Sequence, residues 1–259
     1  MERPVASDPL FLDFGPTGAH RRLAYRRIAG RGPEVVWLGG LRSDMLATKA
    51  SHLAEWALSN GRAFTRFDYS GHGESDGRFE DGTVGGWLEE TLAVVQRVVQ
   101  GRPLLVGSSM GGWLALLAAR RLSDTARAPA GLVLIAPAVD FTERLMWAAF
   151  PDGVRREIME AGFWMRPSDY SPDPYPITRA LIEDGRRHLL LDKALGLGCP
   201  VHILQGMADP DVPWQHAMAL VEHLASDDVT VTLVKDGDHR LSRPQDLAKL
   251  VEAVETLAS

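Results

Sequence analysis

The stretch "LLVGSSMGGWLALLAAR", residues 104–120, begins as a buried strand and ends as a buried helix, with only small or flexible residues between. A strand that runs so directly into a helix is half of a βαβ crossover, and crossovers commit a chain to a parallel sheet covered by helices. The rest of the sequence repeats the alternation. "LFLDF" and "RLAYRRI" read as an opening pair of strands and "EVVWLGG" as the first strongly buried one, followed by "AFTRFDYSG", "PLLVG", "GLVLIAP", "PVHILQG" and "VTVTLV". Between them, "SHLAEWALSNG" carries an apolar stripe through Leu53, Trp56 and Ala57 and stops at Asn60-Gly61, a usual helix exit. "TVGGWLEETLAVVQRVV", "MGGWLALLAARRL", "WQHAMALVEHLA" and "PQDLAKLVEAVETLA" complete the helices. The spacing predicts an α/β fold with a mostly parallel eight-stranded sheet and helices on both faces.

One segment breaks the rhythm. Residues 137–198 hold Phe141, Trp147, Phe150, Phe163, Trp164, Met165, Tyr170 and Tyr175, and "SPDPYP" has three prolines. A packed sheet has no need of so long an insertion, so it is expected to be a small helical lid over a site. Residues 1–136 and 199–259 then form the core of a single domain. The bland alternative is a satellite hydrophobic cluster beneath a surface excursion.

A chain of 259 residues, 45% apolar and 24% charged, can bury a sizeable core, and a net charge of −6 with scattered arginines gives no nucleic-acid face. Cys199 is the single cysteine, which excludes an internal disulfide and any Cys-x-x-Cys pattern; at the head of "CPVHILQG" it reads as a small buried hydrophobe. "MERPVASDPLFLDF" has no signal-peptide h-region, no run is long enough to span a bilayer, and a cytoplasmic location is the expectation.

The junction itself carries chemistry. Gly107-Ser108-Ser109-Met110-Gly111 is a G-x-S-x-G pattern between strand and helix, the setting in which it forms a nucleophile elbow. Ser109 is the candidate nucleophile, raised on a bend so tight that the residues two before and two after must lack side chains. The Met110 N–H, at the start of the helix, is the first candidate oxyanion donor. A serine hydroxyl needs a positioned base, and the base needs an acid to hold its tautomer, expected here in the chain order serine, acid, histidine. His239 in "VTVTLVKDGDHRLS" has both the order and a strand-end position. His52, His216 and His223 fall in helical stretches, His202 in a strand, His20 in the opening pair and His188 in the insertion, while His72 precedes Ser109. For the acid, Asp209 and Asp211 flank Pro210, which makes their carboxylates diverge; Asp209 is nearer the strand end, and Asp211 and Asp238 read as turn residues. Gly39 and Gly40 after "EVVWL" let the backbone bend toward the site, which makes the Leu41 N–H the second candidate oxyanion donor. "FDYSGHGESDG" lacks a phosphate-cradle pattern and reads as a tight turn at the rim. No metal or cofactor pattern is found.

Taken together, "GG" after a strand, "FDYSGHGESDG", "GSSMGGW", "GMADPDVP" and "GDH" resemble the α/β-hydrolases, in that family's order and over residues 34–240. More narrowly, "VGSSMGGWL", "FWMRPSDYS", "GMADPDVPW" and "DGDHRLS" are similar to the palmitoyl-protein thioesterases and acyl-glucuronide esterases of the abhydrolase-domain-containing group and their bacterial relatives. The resemblance implies a cofactor-free serine hydrolase of thioesters or esters with Ser109, Asp209 and His239 as triad. It implies a small-molecule ester, an acyl thioester or an S-acylated protein as substrate. The His-Gly of many members is Gly39-Gly40 here, a change that backbone donors tolerate. Trp147, Phe150, Phe163 and Trp164 of the insertion, with Trp214, are the expected wall of an acyl pocket. The alternatives are carbon–carbon bond hydrolysis of ring-cleavage diketones on the same triad, and a binding module without turnover.

Overall fold

Each of the eight runs read as strands is a strand. The computed structural model describes residues 8–15, 20–167, 172–224 and 228–258. The chain opens with β1 (Leu10–Phe14), β2 (Arg21–Ile28) and β3 (Arg31–Leu38), then α1 (Thr48–Asn60), β4 (Arg62–Phe67) and α2 (Val84–Arg97). It continues through β5 (Leu104–Ser108), α3 (Met110–Leu122) and β6 (Gly131–Ile135) before the insertion. The insertion holds a short π-type turn (Thr142–Trp147), α4 (Asp152–Ala161), β7 (Phe163–Arg166), β8 (Tyr175–Thr178) and α5 (Arg179–Gly185). β9 (Val201–Gly206), α6 (Trp214–His223), β10 (Val229–Val234) and α7 (Pro244–Leu257) finish the fold.

Eight strands form one sheet in the order β1-β2-β4-β3-β5-β6-β9-β10. The pairs from β4 to β10 are parallel, and β2 joins both β1 and β4 antiparallel. Both faces are buried, and the period of two along each strand divides the core between them. Val36, Leu38, Leu105, Leu132 and Leu134 enter the larger cluster with α2 and α3, whereas Val35, Trp37, Val106, Val133 and Ile135 enter a second with α1 and α7. The helix ends follow local chemistry. Gly61 ends α1 in the left-handed conformation at φ 62°, and the Thr83 hydroxyl accepts from the Gly86 N–H to open α2.

Corrections to the sequence reading fall in the insertion. It is not wholly helical: β7 and β8 form a separate antiparallel ribbon, Phe163 paired with Thr178 and Arg166 with Tyr175. The alternating burial along β7 explains this, because four residues with one half-buried face suit a ribbon better than a helix. Tyr170 and residues 168–171 of "FWMRPSDYS" lie outside the described residues. The insertion shares the larger core through Ile158, Ile177, Leu181 and Ile182. The buried Asp140 carboxylate stitches its two ends together, accepting from the N–H groups of Leu190 and Leu191 at 2.9 Å each.

Chain order reverses between β3 and β5. From β3 the chain steps to β4 on one side, then returns to β5 on the other, which makes the carboxyl ends of β3 and β5 the crevice where open α/β sheets bind ligands.

Candidate active site

Ser109 lies between the last residue of β5 and the first of α3, at φ 54° and ψ −117°. That conformation is strained for a residue with a Cβ and is held from three directions. The Ser109 N–H donates to the Ile135 carbonyl at 2.8 Å, and its own carbonyl accepts from the N–H groups of Gly112 at 2.9 Å and Ala138 at 3.1 Å. The flanking glycines are sterically required. A Cβ on Gly107 would come within 2.2 Å of the Gly111 carbonyl oxygen, and one on Gly111 within 2.1 Å of the Leu38 carbonyl oxygen.

His239 follows β10 and Asp209 follows β9, two neighbouring parallel strands whose end loops touch backbone to backbone. A Cβ on Gly206 would lie 2.3 Å from the Gly237 carbonyl oxygen, which in turn accepts from the Ala208 N–H at 2.9 Å. This contact delivers the imidazole to the serine. His239 Nε2 is 3.0 Å from the Ser109 hydroxyl oxygen, and His239 Nδ1 is 2.8 Å from Asp209 Oδ2. Nδ1 therefore carries the proton toward the carboxylate, and Nε2 faces the hydroxyl with its lone pair.

The Asp209 side chain is fully buried and fully hydrogen-bonded. Oδ1 accepts from the N–H groups of Asp211 at 2.8 Å and Val212 at 2.9 Å, and Oδ2 takes a third donor, the Gln205 amide, at 3.3 Å. Asp211 thus supports the Asp209 carboxylate through its backbone N–H, and its side chain lines the cavity. Asp238 closes its own turn, accepting from the Leu241 N–H at 2.9 Å. Asp209, Asp211 and His239 are also the one group of three among the described residues with ligand-capable atoms within 4.8 Å of one another. The Asp209 oxygens are already taken up by the imidazole and three N–H donors, an arrangement built to orient a histidine rather than to coordinate a cation.

Gly40 brings the β3 loop against the nucleophile, since a Cβ there would sit 3.4 Å from the Ser109 Cβ. Among the described residues, neither the Leu41 N–H nor the Met110 N–H donates to another group. "FDYSGHGESDG" does more than turn at the rim, and this the sequence reading missed. Asp68 accepts from the Met45 N–H at 2.6 Å and the Glu74 N–H at 2.9 Å, and the Arg42 N–H donates to His72 Nε2 at 3.0 Å. The motif brackets the β3 loop from below. The signal for it in the sequence is two polar side chains, Asp68 and His72, at a glycine-rich strand end.

A cavity of about 720 Å³ opens over Ser109 and His239. None of Trp147, Phe150, Phe163, Trp164 and Trp214 lines it, which corrects the expected pocket wall. Phe150 and Trp164 stack edge to face at 5.3 Å, Arg186 and Arg155 cover Trp147, Phe163 is exposed, and Trp214 begins α6 half-buried. The insertion's wall is instead Ala138, Phe141, Leu145, Met146 and Ala149, with Arg166 and Tyr175 from its ribbon. Phe141, Leu145, Met146 and Ala149 recur at helical spacing through the π-type turn and the residues flanking it, and Trp147 is not among the residues lining the cavity. The cavity also has basic residues, Arg42, Lys49, Arg166 and Arg240. Burial pushes the Lys49 ammonium down to about 8.

A mostly parallel sheet whose switch point carries a hydrogen-bonded serine, histidine and aspartate from three strand ends, in that elbow geometry, defines an α/β-hydrolase. The chain belongs to the alpha/beta hydrolase family, whose pattern it matches over residues 10–250. It is 38% identical over 236 residues to the mouse "Palmitoyl-protein thioesterase ABHD10, mitochondrial", an alignment covering 91% of this chain and 78% of that protein. A solved structure of a putative hydrolase from Agrobacterium vitis S4 superposes with a TM-score of 0.94 at 48% identity, covering 97% of this chain and 99% of the other. The structure of mouse alpha/beta hydrolase domain-containing protein 10 gives 0.85 at 35% identity, covering 96% and 98%. Among the described residues no helix is long and apolar enough to cross a membrane.

Proposed function

We propose that the protein is a serine hydrolase that cleaves carboxylic thioesters or esters, with medium or long acyl chains, through an acyl-enzyme on Ser109. The observation that carries this is the chain from Asp209 through His239 to the Ser109 hydroxyl, at 2.8 and 3.0 Å, beneath the two unused N–H groups of Leu41 and Met110. The thioesterase name of the mammalian relatives supports the bond class.

In the first half-reaction His239 Nε2 takes the Ser109 proton as the hydroxyl oxygen attacks the acyl carbonyl. Asp209 stabilises the imidazolium and keeps the ring aligned. The Leu41 and Met110 N–H groups hold the negative oxygen, a contribution worth about 3 kcal/mol per donor in the transition state. His239 then gives the proton to the departing thiolate or alkoxide. Water attacks the acyl-enzyme by the same route. The acyl chain runs along Phe141, Leu145, Met146 and Ala149, and each methylene buried there adds about 0.8 kcal/mol. In this reading the insertion, residues 137–198, is the lid that provides the acyl wall. A cytoplasmic site of action belongs to the same reading, supported by a cysteine content of one, the buried Cys199; the mammalian relatives bear the word mitochondrial.

The test is intact-mass measurement after mixing with acyl thioesters from two to sixteen carbons. The expected result is a mass increase equal to one acyl group, strongest for the longer chains and absent in Ser109→Ala. An unmodified wild-type protein, or equal trapping by the alanine variant, would overturn the proposal.

A further inference from the structure

We infer that His72 is a positioning residue for the oxyanion loop, and that it acts by clamping the backbone of Arg42. The inference rests on the hydrolytic reading above, in which the neighbouring Leu41 N–H receives the developing charge. Arg42 is one of five non-glycine residues with positive φ among the described residues, at 59°. A loop in that conformation keeps its shape only if its surroundings overdetermine it. Two contacts do so here, one on the main chain and one on the side chain.

On the main chain, the Arg42 N–H donates to His72 Nε2 at 3.0 Å. The histidine is aligned for this. Its Nδ1 lies 3.2 Å from the Ser70 carbonyl oxygen, so Nδ1 carries the proton and Nε2 keeps a lone pair. Ser70 is itself anchored, because Glu90 accepts from its N–H at 2.9 Å and from its hydroxyl at 2.6 Å. The ring is 5% exposed and packs edge-on against Tyr69, Phe79 and Trp87, at centroid distances of 5.8, 5.5 and 5.4 Å. Burial also pushes its pKa down, and the Arg42 charge adds to this, which keeps the acceptor nitrogen unprotonated near neutrality. His72 does not line the cavity and is 5% exposed, so it acts through Arg42 and not on substrate.

On the side chain, the Arg42 guanidinium lies over the Tyr175 ring at 4.6 Å. Tyr175 belongs to β8 of the insertion and meets Phe79 at 6.3 Å, and Phe79 in turn packs on His72. A closed circuit results: Arg42 backbone, His72, Phe79, Tyr175, Arg42 side chain. The loop that aims the Leu41 N–H is thereby tied at one point to the core and at another to the insertion's ribbon.

The test compares His72→Phe, which fills the space but accepts no hydrogen bond, with His72→Gln, whose amide oxygen reaches the former Nε2 position. Steady-state kinetics on p-nitrophenyl octanoate are expected to show kcat falling roughly 10- to 100-fold in His72→Phe with KM little changed, somewhat less than outright loss of an oxyanion donor, and largely recovered in His72→Gln. Unchanged kcat in His72→Phe, or equal losses in both variants, overturns the inference. Should His72→Phe fail to fold, nitrogen-15 NMR of the wild-type histidines decides: an unprotonated Nε2 on His72 is required, and an Nε2–H tautomer overturns it. Ser109→Ala is run alongside. Full turnover there would defeat the hydrolytic reading itself, whereas an inactive Ser109→Ala beside a fully active His72→Phe would defeat only the role given to His72.

Discussion

Ser109 occupies a backbone conformation that costs a non-glycine residue about 1–3 kcal/mol, and three backbone hydrogen bonds, from α3 and from the end of β6, hold it there. Strain maintained by so many contacts has a use, namely lifting one hydroxyl clear of the sheet toward His239. The acid partner is equally specific. Asp209 meets the imidazole through Oδ2 while Asp211 contributes its N–H to Asp209 Oδ1, so adjacent carboxylates have separable effects. In Asp209→Asn the amide favours the wrong imidazole tautomer, and kcat is expected to drop by about 10⁴-fold. Asp211→Asn keeps the backbone donor and should stay within about tenfold of wild type by the same assay.

At the scale of elements, the elbow works because β5, α3 and β3 approach at backbone distance. A methyl group on Gly107 or Gly111 would overlap carbonyl oxygens at 2.2 and 2.1 Å, neither of which is the end of a flexible side chain. Gly107→Ala and Gly111→Ala should each lose about 3 kcal/mol in urea unfolding, with loss of activity, whereas Gly153→Ala, which meets nothing within 4 Å, should not. The π-type turn makes a different prediction. Leu145 faces the cavity and Trp147 does not, so Leu145→Ala should flatten the rise in kcat/KM from acetate to octanoate esters, and Trp147→Ala should leave that slope intact.

Across the whole molecule the two ends of the sheet do different work. The carboxyl ends of β3, β5, β9 and β10 carry the candidate chemistry. At the opposite end Glu34 ties strands together, accepting from Arg27 of β2 at 2.7 Å, the Thr65 hydroxyl of β4 at 2.6 Å and the Gln100 N–H at 3.0 Å. Burial works to raise its pKa, but the hydrogen bonds outweigh burial and leave it below the usual carboxylate value. A carboxyl whose pKa is lower folded than unfolded contributes stability above its unfolded pKa and loses it as pH falls through the folded one. Glu34→Gln should therefore be about 2 kcal/mol less stable than wild type at pH 7, and the gap should close as pH drops below about 4.5. Urea titrations across that range measure it, and activity per folded molecule should be unaffected.

Local pattern settled a large part of this protein. Strand and helix order follow from periodicity, the elbow from small residues around Ser109, and the candidate base from His239 being the one histidine with both order and a strand-end place, because each of these is encoded over a few neighbouring residues. Three things depended on the folded chain. Sequence position favours Asp209 over Asp211 as nearer the strand end, but its meeting the imidazole depends on which carboxylate the Pro210 turn points at His239, thirty residues away. The pocket wall passed from Trp147, Phe150, Phe163, Trp164 and Trp214 to Phe141, Leu145, Met146 and Ala149, because hydrophobicity reports burial but not which cavity a side chain faces. His72, set aside for its position in the chain, meets Arg42 because β3 and β4 are paired neighbours, and contact between sequence-distant residues is a property of topology that no local pattern contains.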